Sequence, residues 1–140
     1  MRGTFVGSGS VINDRLIEPD SLVIEPGRVS VEVRIPWYRA IPASCISDVA
    51  VRIDGKTVPP ESLRFELNGR ERRREEFVDL VDESWFTTDP LRVSGDLDVA
   101  AAGAHDVFVN LKLYIPYIVT DHGVLMIDES LEAQMAGATR

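Results

Sequence analysis

Two histidines and one cysteine are the residues of this 140-residue chain best suited to metal binding or nucleophilic chemistry. The histidines stand beside aspartates, as His105-Asp106 and Asp121-His122, and Cys45 stands alone. A metal site needs three or four ligands at suitable spacing, and neither pair provides them. Both pairs lie in predicted turns, and their positions there explain the residue types. No nucleophile motif surrounds Cys45, which cannot form an internal disulfide and is predicted to be a small apolar residue of the core or of an interface.

Three carboxylates near a tryptophan are the remaining candidates for chemistry. Asp79, Asp82 and Glu83 precede Trp85, and such a group could serve acid–base catalysis or bind a sugar against the aromatic ring. Carboxylates after a short helix are more often solvated, and that interpretation is favoured. The sequence also lacks a phosphate loop, a nucleophile elbow and a Ser/His/Asp signature. It predicts no catalytic residue, no metal ligand and no cofactor bound by this chain, which indicates a module rather than a complete enzyme.

The segment from Arg34 to Pro42 combines prolines, aromatics and arginines at the end of a strand pattern. Proline cannot donate to a sheet ladder, so Pro36 and Pro42 predict a sheet edge or a crossing between sheets. Aromatic residues beside arginine are enriched at protein interfaces. A similar phrase, residues 114–117, closes a later strand pattern. This second phrase could simply be the matching end of a neighbouring strand.

Alternation predicts different directions for the aromatic side chains. If the alternating valines of residues 29–33 face the core, Trp37 points inward and Tyr38 outward, unless Pro36 breaks the register. Any of these aromatics could instead be a core residue whose polar atoms find partners inside the fold. The predicted partner contacts are Tyr38, Arg39, Pro42 and Tyr117. The predicted core aromatics are Trp37 and Trp85.

Charge and composition exclude several classes of partner. The net charge of −8 argues against nucleic acid, whose binding depends on lysine and arginine. The one basic run, residues 70–74, contains Glu71 and predicts a solvated face. The alternative is that this run binds an acidic patch on a protein. No apolar run approaches the roughly 20 residues of a membrane helix. The N-terminal residues lack the apolar region of a secretory signal, which predicts a cytoplasmic protein.

Period-two alternation recurs along the chain and predicts strands. The clearest patterns are residues 29–35, 49–53, 63–67 and 107–115, with hairpin turns at Asp54-Gly55 and Asn68-Gly69. We expect an all-β fold, a single antiparallel β-sandwich of about eight strands with little helix. One or two helical turns are predicted over residues 75–81. The predicted domain spans residues 19–127, between an N-terminal segment, 1–18, and a tail or frayed helix, 128–140.

Several phrases in a fixed order resemble the small β subunit of C-glycoside deglycosidases. The resemblance covers about residues 20–118, and its phrases are VRIPWYRAIP (33–42), residues 46–51 with Asp54-Gly55 and Val58-Pro59, Arg64-Phe65 with Leu67-Asn68-Gly69, and Trp85-Phe86. The first phrase is the most specific. The family's fold is a β-sandwich that docks on a larger α subunit.

The resemblance implies a two-subunit lyase. Its substrate is a C-glycoside, such as a flavone glucoside, oxidised to a ketone at C3 of the sugar. The ketone acidifies the neighbouring C–H, and the C–C bond to the aglycone then breaks. A TIM-barrel α subunit holds the catalytic base and a divalent metal, Mn²⁺. This chain is then a noncatalytic subunit of a hetero-oligomer. The alternatives are a stand-alone sandwich that binds a sugar or peptide, and a purely structural scaffold.

Overall fold

The structure, a computed structural model, describes residues 15–139 and contains twelve β-strands in that range. The strands are β1 (Val23–Glu25), β2 (Arg28–Val33), β3 (Ile41–Pro42), β4 (Ile46–Ile53), β5 (Lys56–Thr57), β6 (Arg64–Leu67), β7 (Arg70–Arg72), β8 (Ser84–Trp85), β9 (Leu91–Asp96), β10 (Ala104–Thr120), β11 (Gly123–Ala136) and β12 (Ala138–Thr139). Short 3-10 turns lie at Ala43–Cys45, Pro60–Ser62 and Arg74–Phe77. The prediction of an all-β fold is confirmed. The predicted number, about eight, omitted strands of two or three residues.

Two larger sheets enclose one core. The first has the order β12-β1-β2-β9-β6-β7, and the second has the order β11-β10-β4-β5. Inward residues of β2 and β9 in the first sheet and of β4 and β10 in the second belong to one cluster of buried apolar side chains. Nearly all pairings are antiparallel, with a parallel one between β1 and β12. The central strands therefore bury one face, as their alternation predicts.

Both predicted hairpin turns are confirmed. Asp54 and Gly55 connect β4 to β5, and Asn68 and Gly69 connect β6 to β7. All four residues have positive φ, from 52° to 79°. Two-residue hairpins of type I′ require this conformation at both central positions, and Asn-Gly and Asp-Gly adopt it most readily.

The C-terminal part of the chain differs from its prediction. The prediction of a tail or frayed helix after residue 127 is wrong, because β11 continues to Ala136 beside β10. Leu131, Ala133 and Met135 contact the core from alternate positions of this strand. The acidic and small residues between them obscured a period-two pattern. At the other end, Leu16 and Ile17 of the predicted N-terminal segment are buried, and residues 1–14 of that segment lie outside the described residues.

The predicted helix over residues 75–81 is shorter than expected. A single 3-10 turn spans Arg74–Phe77, and Phe77 is buried. Leu80 is half-buried, but Val81 is 63% exposed. The turn ends too early for the predicted i, i+4 spacing to place Val81 on the buried side. No helix among residues 15–139 has the length and apolar character needed to span a membrane.

The proline-flanked segment crosses between sheets, as predicted. The chain leaves the six-stranded sheet at the end of β2, and Ile41–Pro42 then forms β3, which pairs with β8. After the turn at Ala43–Cys45, β4 enters the four-stranded sheet. The crossing brings residues 36–40 to the end of the sandwich where β2 and β10 finish and β4 begins.

Candidate interaction site at one end of the sandwich

Four side chains from two distant segments form an exposed aromatic cluster, which consists of Trp37, Tyr38, Arg39 and Tyr117. The indole Nε1–H of Trp37 donates a hydrogen bond to the Tyr117 hydroxyl at 2.5 Å. The Tyr117 and Tyr38 hydroxyls lie 3.4 Å apart. The guanidinium carbon of Arg39 is 4.6 Å from the centre of the Tyr117 ring, and the Trp37 and Tyr38 ring centres are 4.9 Å apart. Each side chain thus contacts another member of the cluster.

The two Ile-Pro-aromatic phrases of the sequence therefore meet in space. They do not lie on neighbouring strands, because β2 and β10 belong to different sheets. The contact forms across the end of the sandwich. The repeated phrase is the one signal of this contact in the sequence, but pairing across two sheets could not be inferred from alternation.

A bulge in β10 orients Tyr117. The pairing of β10 with β11 shifts register between Ile115 and Val119, around Pro116. Proline lacks the N–H that a regular ladder would use, so the ladder is interrupted there. Regular alternation after buried Ile115 would direct Tyr117 into the core. Instead, Tyr117 is 44% exposed.

The members of the cluster differ in how exposed their side chains are. Tyr38 is 66% exposed, which confirms its predicted outward direction. Trp37 is only half-buried and packs against the edge of the core, so its prediction as a core residue is corrected. Pro36 ends the regular alternation on which that prediction depended. Trp85 is completely buried, as predicted, and its Nε1–H donates to the backbone carbonyl of Asp89 at 2.9 Å.

The two tyrosines of the cluster have different electrostatic environments. Burial opposes ionisation of Tyr117, but its hydrogen bonds with Tyr38 and Trp37 and the charge of Arg39 together hold the pKa of Tyr117 below its ordinary value. The hydrogen bond to Tyr117 raises the pKa of Tyr38, with smaller contributions from burial and from repulsion by Tyr117. The Tyr117 hydroxyl consequently loses its proton more readily than the Tyr38 hydroxyl does.

Exposed apolar residues lie on the segments next to the cluster. Among residues 15–139, six large apolar side chains are exposed, and two of them are Tyr38 and Tyr117. The other four, here called the flanking residues, are Val78, Val81, Phe86 and Val119. Phe86 follows β8, which pairs with β3, and Val119 lies two residues after Tyr117.

Backbone hydrogen bonds connect the remaining flanking residues to the same region. The N–H of Ser44 donates to the carbonyl of Leu80 at 3.2 Å, and the N–H of Ala43 donates to Glu83 at 2.7 Å. The segment that carries Val78 and Val81 is therefore attached just after β3. Pro42, the last predicted contact, is half-buried in β3 opposite Ser84. The exposed apolar side chains thus belong to three segments that converge at one end of the sandwich.

The predicted carboxylate group does not form a site. Both carboxylate oxygens of Glu83 accept hydrogen bonds from Arg72, at 2.8 and 2.9 Å, and the hydrogen bond from Arg72 holds the pKa of Glu83 below its ordinary value. Asp79 and Asp82 are exposed, as the solvated interpretation predicts. Arg72 itself is 7% exposed, so the prediction of a solvated face for the basic run is wrong at this residue. Its guanidinium is instead part of a structural ion pair.

The histidines are far apart and occupy turns or strand ends. His105 is buried near the start of β10, with Nδ1 2.7 Å from Oδ2 of Asp54, whereas His122 is exposed in the turn after β10. The hydrogen bond from His105 lowers the pKa of Asp54. No group of three potential metal ligands occurs within the described part of the chain. Cys45 is half-buried and packs against the core, as predicted.

Comparison with known proteins identifies the family. The family model for the C-glycoside deglycosidase beta subunit matches residues 25–117, a range that contains all four residues of the aromatic cluster. The chain belongs to this family. It is 52% identical over 120 residues to C-glycoside deglycosidase beta subunits from Microbacterium trichothecenolyticum and Arthrobacter globiformis, which covers 85% of this chain and 92% of each relative.

A more distant member of the C-glycoside deglycosidase β subunit family has a more specific name. The 3'-dehydrocarminate deglycosidase beta subunit of a Microbacterium species is 34% identical over 125 residues, which covers 89% of this chain and 95% of that protein. Its name refers to a dehydrogenated substrate, and a β subunit implies a partner subunit for that protein. The family assignment and the all-β fold agree with the resemblance seen in the sequence.

Proposed function

We propose that this chain is the β subunit of a heteromeric C-glycoside deglycosidase. The complex is a lyase that cleaves the C–C bond between a 3-oxo sugar and its aglycone, as in oxidised flavone C-glucosides. This chain docks on a TIM-barrel α subunit that carries catalysis. The observation that supports this most directly is the aromatic cluster with its flanking residues, exposed together at one end of a domain of this family.

The composition of the cluster suits a protein partner. Tryptophan, tyrosine and arginine dominate the binding energy of protein interfaces, and Trp37, Tyr38 and Arg39 are consecutive here. Their mutual contacts hold them in one arrangement before a partner arrives, which lowers the entropy lost on binding. The flanking residues extend the apolar area. An exposed apolar surface of this kind is typical of an interaction site.

The proposed division of labour assigns catalysis to the α subunit. The ketone at C3 makes the neighbouring C–H acidic enough for a base to remove, and the α subunit is proposed to supply that base and a divalent metal, Mn²⁺. Within residues 15–139 no group of side chains fits a metal ion. The proposal assigns no catalytic step to this chain. Its proposed contribution is to bind the α subunit and complete the assembly. The proposed location of the complex is the cytoplasm.

Co-purification with a TIM-barrel protein encoded by an adjacent gene tests the proposal. We expect the two chains to co-elute in size exclusion, and the complex to cleave a 3-oxo-C-glucoside in a reaction that a chelator stops. The double change Tyr38→Ala/Arg39→Ala should weaken the complex by about 30-fold, since truncating interface hot spots costs about 2 kcal/mol or more.

Arg52→Ala is the matched control. Arg52 stacks on Phe108 at 4.0 Å, much as Arg39 stacks on Tyr117, but about 30 Å away along β10. This variant should bind and react like the wild type. Unchanged binding of the Tyr38/Arg39 variant would contradict the proposed interface. Sugar or peptide binding without any partner would favour the stand-alone module, and full activity without this chain would favour a scaffold.

A further inference from the structure

We propose that the outer edge of β11 binds an extended segment of another polypeptide, one that places a lysine or arginine beside Glu129. The segment adds a strand to the four-stranded sheet, with its cation on the face that points into the sandwich. Glu129 lies opposite Leu111, about 20 Å from Tyr117 along β10, so this surface is separate from the aromatic cluster. The inference goes beyond the proposed function and does not depend on it.

The first observation is the free edge of a long strand. β11 has 14 residues and is the terminal strand of its sheet, whose order is β11-β10-β4-β5. It pairs with β10 on one side, and no other strand within residues 15–139 pairs with it on the other side. The backbone N–H and C=O groups on that side form an edge to which another strand can pair.

The second observation is a carboxylate on the inward face of this edge strand. Glu129 is 5% exposed, and side chains alternate between the two faces of a strand. Ile127 and Leu131, two residues before and after Glu129, share its face, and both belong to or pack against the apolar core. Glutamate is almost never buried in this way unless a cation or several hydrogen bonds accompany it.

The described part of the chain does not compensate this carboxylate. Within residues 15–139, no lysine, arginine or histidine forms an ion pair with Glu129. Burial, with repulsion from Asp128, raises the pKa of Glu129, and neither a hydrogen bond nor a cation acts to lower it. The charged form is therefore costly in the free domain. A cation supplied by a bound strand would remove much of that cost.

The register of the sheet fixes where the cation must lie. Val49, Leu111 and Glu129 form one row of inward side chains across β4, β10 and β11. The next position in the row belongs to the added strand, with its Cβ atom about 4.5–5.5 Å from that of Glu129. A lysine or arginine there can donate a charge-assisted hydrogen bond to the carboxylate. The positions two residues to either side face Ile127 and Leu131, so they should be apolar.

A second copy of β11 cannot supply this cation. The inward residues of β11 carry no positive charge, and they are Leu125, Ile127, Glu129, Leu131, Ala133 and Met135. An antiparallel pair of two β11 strands with both apolar faces inward would therefore place Glu129 opposite an apolar residue or a second glutamate in every register. Asp128 and Glu132, on the outward face, also favour a cationic partner. The occupant is thus a different sequence, with the pattern apolar-x-cation-x-apolar.

A pair of designed peptides tests the inference on the full chain. The probe is the capped peptide Thr-Val-Thr-Lys-Thr-Val-Thr, and its match has norleucine in place of lysine. In NMR titrations at pH 7, the lysine peptide should shift the amides of residues 124–134 and bind about 10-fold more tightly than the norleucine peptide. Glu129→Gln should abolish this preference. Glu132→Gln is the matched control, because its exposed side chain lies on the other face of β11, and it should keep the preference.

Urea denaturation of the free chain provides a second measurement and shows that the variants fold. Glu129→Gln should raise the urea midpoint, because an amide costs less to bury than an uncompensated carboxylate. Glu132→Gln should leave the midpoint unchanged. A lower midpoint for Glu129→Gln would show that the chain itself compensates the charge, and it would overturn the inference.

The binding outcomes are equally decisive. Absence of binding by the lysine peptide, shifts confined to other strands, or a lysine preference that survives Glu129→Gln would each overturn the proposal. Equal binding of the two peptides, combined with self-association of Glu129→Gln, would assign Glu129 a different role. It would then only prevent edge-to-edge pairing between copies, as inward charges do in other edge strands. None of these results affects the proposed function, whose test uses the α subunit and the aromatic cluster.

Discussion

Arginines are stacked on aromatic rings at both ends of β10, but their surroundings differ. Arg52 stacks on Phe108, with its guanidinium carbon 4.0 Å from the ring centre. Arg39 stacks on a Tyr117 whose hydroxyl also contacts Trp37 and Tyr38. A single cation–π pair at an exposed site contributes only about 0.5–1 kcal/mol. The cluster is distinctive because several such contacts share one set of side chains.

Glu83 illustrates a residue whose type suggested chemistry but whose contacts make it structural. Its carboxylate binds the buried guanidinium of Arg72 through two hydrogen bonds. Glu83→Gln should lower the free energy of unfolding at neutral pH by about 2–3 kcal/mol, because hydrogen bonds to a charged group are lost and Arg72 keeps an uncompensated charge. Urea denaturation monitored by tryptophan fluorescence measures this loss.

The same ion pair predicts a dependence on pH. Arg72 lowers the pKa of Glu83 in the folded state, so the stabilisation is fully present above the ordinary carboxyl pKa of about 4.3 and disappears as pH falls through the lowered value. The variant Glu83→Gln should lack this part of the acid destabilisation. Asp82→Asn, at the exposed neighbouring residue, is the control and should behave as wild type. Equal stability of Glu83→Gln and wild type would contradict the structural role.

At the scale of elements, the segment between β5 and β6 covers β9 closely. A Cβ atom placed on Gly95 in β9 would lie 2.3 Å from Cγ1 of Val58, and Val58 is buried. Glycine in a strand often marks such a close approach. This contact attaches the segment to the six-stranded sheet without a hydrogen-bonded ladder.

Gly95→Ala should destabilise the domain by about 1–3 kcal/mol, since overpacking a filled core forces side chains or backbone to move. Thermal denaturation followed by circular dichroism measures the change. The double variant Gly95→Ala/Val58→Ala provides the test of cause, because removing the valine methyls makes room for the new Cβ. Its destabilisation should be smaller than the sum of the two single changes. Strict additivity would show that Val58 is not the obstacle.

At the scale of the whole molecule, the two ends of the sandwich have different surfaces. The end with the Asp54-Gly55 turn contains the buried His105, which pairs with the exposed Asp54, and the stacked Arg52. The other end carries the aromatic cluster and the segments of the flanking residues. The second end is therefore the one on which the proposed docking depends.

Hydrogen exchange in the presence of the α subunit should reveal this difference between the two ends. We expect slower amide exchange in residues 36–40, 78–86 and 117–122 of the complex than of the free chain, because docking excludes water from these segments. Residues 52–56 and 104–108 are the internal control and should exchange at equal rates in both states. Protection confined to these control residues would place the interface at the wrong end.

The sequence by itself determined most of the longer strands, the two hairpins and the family. Alternation in β2, β4 and β10 and the Asp-Gly and Asn-Gly turns are local signals, because side-chain direction and positive φ depend on adjacent residues. The same reasoning placed Tyr38 outside correctly and Trp37 in the core wrongly. It missed the part of β11 after residue 127, where acidic and small residues concealed the pattern of Leu131, Ala133 and Met135.

Only the tertiary structure decided what the local signals left open. The sequence showed two aromatic phrases about eighty residues apart, but their meeting depends on the crossing after β2 and on the bulge at Pro116. The partners of Glu83 and the half-buried position of Trp37 depend on contacts between distant segments in the same way. Alternation specifies the face of a strand and not the residue that lies opposite it in another sheet. The aromatic cluster is consequently a property of the packed sandwich, although each of its residues was visible in the sequence.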